Sequence, residues 1–140
     1  MYVYASSDQS DAFFHGNSPT AFKVKLPRRL HMSPARQWSL AILDIDLPEL
    51  TDGYKPSFIT VNTNICETSF INCSQAPILQ RLYYNQLVTN KPHIFDHLRY
   101  IPITADTLES LSIYLVDSSG ARPSFKDGHS SCTLHIEKSE

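Results

Sequence analysis

Apolar and polar residues alternate with a period of two along most of this chain. In "TAFKVKLP", Phe22, Val24 and Leu26 fall on one side and Lys23 and Lys25 on the other. That is the pattern of a strand half buried against a core, and Pro27 is expected to close it. "RQWSLAILDIDLP" is longer and changes phase: Trp38, Leu40 and Ile42 share a face, whereas Leu43, Ile45 and Leu47 have the opposite parity. A switch of this kind predicts either a bulge near Ile42 and Leu43 or a strand covered on both faces, with Pro48 ending the element. "SFITVNTNI" groups Ile59, Val61 and Ile65, and "ILQRLYY" supplies another apolar segment after Pro77. "LRYIPI" holds Pro102, which removes a ladder donor and suits an edge strand or a strand end. "TLESLSIYLVD" sends Leu111, Ile113 and Leu115 one way and Ser112, Tyr114 and Val116 the other. "CTLHIEK" does the same, with Cys132, Leu134 and Ile136 inward and Thr133, His135 and Glu137 outward. No window of eleven or more residues has apolar positions at i, i+3, i+4 and i+7, the mark of an amphipathic helix, without a proline or a β-favouring run in it.

With the opening run "YVYA", these segments make about eight strands separated by turn signals. The expected fold is all-β, a single jelly-roll sandwich of antiparallel strands. One domain over residues 1–140 is expected, with residues 1–18 read as an extended or flexible N-terminal segment. "SSDQSDAFFHGNSPT", "PELTDGYKP" and "YNQLVTNKPHIFDH" are long for connections that merely close hairpins, and long loops often carry contacts. Near the far end, Gly120 and Gly128 stand where turns need unusual backbone angles, and Phe125 between them reads as a core plug.

Composition narrows the function. Twelve Lys and Arg against fourteen Asp and Glu leave a net charge of -2, too balanced to draw the chain onto a phosphate backbone, so nucleic acid is not an expected partner. The longest apolar run is broken by Asp44 and Asp46, far short of the roughly 20 residues of a membrane helix. "MYVYASSDQSD" has no basic segment leading into an apolar block, which argues against a secretory signal and for a soluble, unsecreted protein. Cys66, Cys73 and Cys132 are an odd set without scaffold spacing, and suit packed free thiols in a reducing compartment.

The chemistry-bearing residues form no familiar catalytic pattern. His15, His31, His93, His97, His129 and His135 are scattered, and no H-x-H pair of the kind a metal-binding barrel uses is present. His93 and His97 have helical ligand spacing, but Pro92 opposes a long helix there. Cys66 and Cys73 supply two of the four ligands a structural zinc needs. No G-x-S-x-G occurs, and four glycines in all leave no phosphate-cradling loop. Asp44 and Asp46 share one side of a strand, as an acid and base could, but also as any polar strand face does. Arg28 and Arg29 are too few for a basic binding patch. The expectation is no enzyme, no metal and no cofactor. Phe13 and Phe14, apolar in a polar N-terminal stretch, are candidate interface residues, since aromatics outside a core are enriched at interfaces.

The succession "FKVKLPRRL", "WSLAILDIDLP", "ITVNTNICETSFINCSQAPILQRL", "LRYIPIT" and "LESLSIYLVDSSGARPSFKDGHSSCTLHIEK" resembles the penton-like minor capsid protein of polintons, adintoviruses and related DNA viruses and elements. Its carriers are Leu26 and Pro27 closing an early strand, Trp38 and Leu40 in a strand ending at Pro48, and Pro77 and Leu79 in an apolar segment. A terminal ribbon adds Asp117, Gly120, Phe125, Gly128 and Leu134. The resemblance excludes the first fifteen residues. It implies a single jelly roll assembling as homopentamers at the fivefold vertices of an icosahedral capsid, with the major capsid protein as neighbour. The implied location is the virion, assembled inside the host cell. Two other readings stay open at this point: a lectin-like or receptor-binding jelly roll, which needs a groove with Tyr or Trp beside converging amides, and a cupin-like metalloenzyme, which needs converging His and carboxylates.

Overall fold

The computed structural model describes residues 1–8, 16–31, 38–64, 69–71, 74–76, 78–89, 91–103 and 107–138. In chain order its elements are β1 (Tyr2–Ser6), β2 (Ala21–His31), β3 (Trp38–Asp46), β4 (Phe58–Thr63), β5 (Ser69–Ile71), β6 (Ser74–Ala76) and β7 (Ile78–Tyr83). There follow α1 (Tyr84–Leu87), β8 (His93–Ile94), β9 (Ile101–Pro102), β10 (Thr107–Asp117) and β11 (Ser131–Lys138). One sheet runs β1-β11-β3-β8, with β9 also on β3; the other runs β2-β10-β4-β7; β5 and β6 form a separate hairpin.

A single rule generates both sheets. β1 pairs with β11, β2 with β10, β3 with β8 and β4 with β7, all antiparallel, so the first half of the chain lies along the second half in reverse order. Wrapping that long ribbon brings β11 beside β3 and β10 beside β4. This is the jelly-roll arrangement, and it places the apolar faces of a five-strand and a four-strand layer against each other. From the first sheet come Val3, Ala5, Leu40, Ile42, Ile45, Cys132, Leu134 and Ile136. From the second come Phe22, Val24, Leu26, Ile59, Val61, Leu111, Ile113 and Leu115. All are buried in one core cluster. The inward and outward parity read for β10 and β11 is the parity observed.

The change of phase in β3 is a bulge. Thr133 of β11 lies opposite Asp44 and Leu134 lies opposite Ile42, so Leu43 is the extra residue. It lets Leu40 and Ile42 on one parity and Ile45 on the other all reach the same core. A second bulge leaves Leu79 unpaired between Ile78 and Gln80, yet it is fully buried.

Pro27 does not close its strand. β2 continues to His31, because it is the edge of its sheet and its register against β10 jumps from Ser110–Lys25 to Leu108–Leu30. Within that irregular stretch a residue without an N–H forfeits no ladder bond. Two short elements lie in a stretch the sequence marked as a long loop: α1 and β8 both fall within "YNQLVTNKPHIFDH". The opening residues are more than a loose arm, since Tyr2–Ser6 is built into the first sheet. Ile65, Cys66, Cys73 and Pro77 lie outside the described residues.

Candidate functional site

Wrapping the ribbon gathers alternate connections at one end of the sandwich. There the β3–β4 loop (residues 47–57) and the β10–β11 loop (residues 118–130) are joined along their length. Thr51 donates its N–H to the Ser124 carbonyl at 3.0 Å, and Lys126 donates to the Glu49 carbonyl at 2.7 Å. The Thr51 and Ser124 hydroxyls share a 2.8 Å hydrogen bond, and Ser57 N–H donates to Ser118 Oγ at 3.1 Å. The Lys126 ammonium sits 3.4 Å from Glu49 and 3.1 Å from Asp52.

Asp117 anchors this junction. Its Oδ1 accepts hydrogen bonds from Ser119 N–H (2.9 Å), Ser119 Oγ (2.6 Å) and Ala121 N–H (3.0 Å), and its Oδ2 accepts one from the Tyr54 hydroxyl at 2.6 Å. Burial alone would raise its pKa, but the donors from Ser119, Tyr54 and Ala121 outweigh it and hold the carboxyl below its usual value. The Tyr54 phenol moves the other way, pushed up by burial and by the adjacent carboxylate. Gly120 has φ +86° in the turn that follows, as expected for a residue without Cβ. Gly128 has φ +155°, and a Cβ there would lie 3.1 Å from Pro48 Cβ. Phe125 is half-buried and packs on the core from the loop, bridged to Leu50, rather than plugging its centre.

Between these loops and α1 lies an open cavity of about 260 Å³, with Glu49, Asp52, Tyr54, Tyr84, Leu87 and Lys126 in its wall. It carries tyrosines but no side-chain amide, so it is not the groove a lectin-like reading requires. Those residues also bring together no group of three or more His, Cys, Asp or Glu side chains, and so form no candidate metal centre. Cys132 points into the core, where burial and then the Asp44 carboxylate push its thiol up to about 12. His135, three residues on, faces outward. The two cannot share a metal.

Outward on the first sheet lies an aromatic cluster whose members no sequence pattern links. Tyr2 is stacked on His135 with ring centroids 4.5 Å apart, and the Tyr100 hydroxyl shares a 2.8 Å hydrogen bond with His135 Nδ1. Tyr100 immediately precedes β9, which pairs with β3, the strand that lies between it and β11 in the sheet order. Tyr4, Ile94 and Leu98 are exposed too. Elsewhere Arg29 pairs with Glu109 at 2.6 Å on the surface, and Lys138 lies over the Trp38 ring at 5.7 Å. Leu26, Leu40, Leu79 and Leu134 are buried, Pro48 contacts the Gly128 turn, and Asp44 and Asp46 remain a polar strand face. His93 is half-buried near Gln86, and His97 is exposed. Phe13, Phe14 and His15 lie outside the described residues.

No protein-family model matches the sequence, and no curated protein matches it significantly. Among solved structures, the crystal structure of the selenomethionine-labelled mavirus penton protein aligns over 98% of this chain and 99% of that one, with a TM-score of 0.62. The chain has the fold of a viral penton protein. Sequence identity between the two is 6%, so the likeness is one of architecture. That neighbour is a penton protein, in line with the penton-like resemblance of the sequence, and the sandwich expected from the strand pattern is the fold observed. No helix among the described residues is long and apolar enough to cross a membrane.

Proposed function

We propose that this chain is a structural, non-enzymatic minor capsid protein that forms homopentamers at the fivefold vertices of an icosahedral virion, set among copies of a major capsid protein and assembled inside the host cell. One observation carries the reading: the fold likeness to a penton protein runs the whole length of both chains, leaving no large unmatched part on either side. The flanks of the sandwich add support. A closed ring needs a heterologous contact, one flank of each copy meeting a different flank of the next. On one flank β2 presents the lysines Lys23 and Lys25; on the other β7 and β8 present Tyr83 and Ile94. The two surfaces differ, as such a ring requires.

Electron microscopy of the purified protein, alone and mixed with the major capsid protein, tests this. Fivefold rings or density at particle vertices are expected. A protein that stays monomeric at high concentration and is absent from the vertices of assembled particles would sink the reading.

A further inference from the structure

The backbone of β1 is poised for a strand that the described residues do not supply. Met1 and Ile136 exchange both backbone hydrogen bonds, at 2.9 and 2.8 Å, and Ser7 N–H donates to the Ser130 carbonyl at 2.9 Å. In an antiparallel ladder the bonded positions alternate, so the odd residues of β1 bond β11, and the N–H and C=O of Tyr2 and Tyr4 point off the opposite side. β1 ends the order of its sheet, and among the described residues nothing pairs with those groups.

The neighbouring edge on the same flank is treated differently. The Asn17 side chain takes the place of a strand on β2, accepting from Lys23 N–H at 2.9 Å and donating to the Lys23 carbonyl at 3.1 Å. Pro27, an irregular register and the exposed side chains of Lys23, Arg28 and Arg29 complete the blockade. These are the devices that keep edge strands from pairing. β1 has none of them: "YVYAS" holds no charge and no proline, and its register is unbroken.

We propose that the open edge of β1 docks β1 of a second copy of this chain, antiparallel and about a two-fold axis at Val3, so that two first sheets become one. A two-fold contact has to be complementary to itself. Tyr2-Val3-Tyr4 reads alike in both directions, and antiparallel pairing about Val3 sets Tyr2 opposite Tyr4 of the other copy. Both are positions whose backbone groups are free, so the two strands exchange bonds at each pair. The rings, 68% and 55% exposed, then lie side by side on the outer face, and aromatic cross-strand pairs of this kind are favourable. Stacking on His135 already fixes the Tyr2 ring. The Asn17 cap keeps the second sheets from merging as well. Such a contact cannot close a fivefold ring; it joins two chains, or two rings, and it stands whether or not the capsid reading does.

Sedimentation velocity over a wide concentration range tests the proposal. The wild type is expected to double its mass reversibly, from one chain to two or from ring to paired rings. Tyr4→Pro removes a free N–H without touching a β11 bond and is expected to weaken doubling about tenfold or more. A chain with Tyr2→Lys and Tyr4→Lys, and another with Tyr2→Glu and Tyr4→Glu, should each fail to double, while their mixture should double again, because each lysine then faces a glutamate. Circular dichroism melts confirm that each variant is folded. Absence of doubling in the wild type, or doubling that survives in the all-lysine chain, overturns the proposal. Loss of rings with doubling intact would count against the pentamer alone.

Discussion

The Tyr54 hydroxyl donates a 2.6 Å hydrogen bond to Asp117, a residue 63 positions away at the end of β10. Through this bond the β3–β4 loop is held against the turn that launches β11, and the carboxylate is kept ionised in a buried place. Asp117→Asn keeps the shape but leaves several donors facing an amide, and is expected to cost about 1–3 kcal/mol at neutral pH. Because the folded carboxyl titrates below its unfolded value of about 3.9, its contribution is complete above that pH and fades as pH falls through the folded value. Urea unfolding of wild type and variant should therefore differ at pH 7 and converge in strong acid. A gap that stays constant with pH would show that the charge plays no part.

Gly128→Ala meets two obstacles, a φ of +155° and a Cβ 3.1 Å from Pro48. A loss of about 1–3 kcal/mol is expected. Pairing it with Pro48→Gly removes the Cβ it meets but does not relieve the backbone, so a double-mutant cycle should return a coupling of about 0.5 kcal/mol or more. Strict additivity would place the whole cost in the backbone.

The bulge at Leu43 lets β3 absorb a deletion that β11 cannot. Removing Leu43 leaves Leu40, Ile42 and Ile45 in regular alternation on the core side, whereas removing Thr133 from the unbulged β11 puts Cys132 and Leu134 on opposite faces. The Leu43 deletion should unfold cooperatively in a thermal melt, and the Thr133 deletion should yield no folded protein. Equal outcomes would contradict the register.

Cys132, with its thiol near 12, should resist alkylation in the native state. In a chain carrying Cys66→Ser and Cys73→Ser, modification followed by mass spectrometry should proceed at the rate of unfolding. Since the folded value is raised, the stability linked to this thiol is complete below the unfolded value of about 8.5 and is lost as pH rises toward the folded one. Alkaline urea titrations should show that decline, and a Cys132→Ala chain should lack that part of it.

Most of the fold was legible because strand faces write themselves as alternation. β10 and β11 could be read residue by residue, and the bulge in β3 showed as a change of parity at Ile42 and Leu43. Pro27 misled because its effect depends on whether β2 is an edge, which is a property of the sheet order and not of the strand. α1 and β8 escaped notice for a simpler reason: four and two residues are too short to display a period. At the loop end, Asp117 was marked as a carrier of the family resemblance, but Tyr54 was not marked at all, since their partnership spans 63 positions. The tyrosines around His135 were hidden likewise, for Tyr2, Tyr100 and His135 meet only after three distant segments are laid side by side.

The nesting of the ribbon also sets a timetable for synthesis. β11 lies between β1 and β3, so neither of these early strands has its main partner until residues 131–138 have been translated. Until then the apolar sides of β1 and β3 wait on a ribosome-bound chain, exposed to whatever else is nearby, and pairing segments so far apart is slow even after release. New chains are therefore expected to pass through a half-zipped state, so that help from chaperones should matter for yield as well as the stability of the finished sandwich.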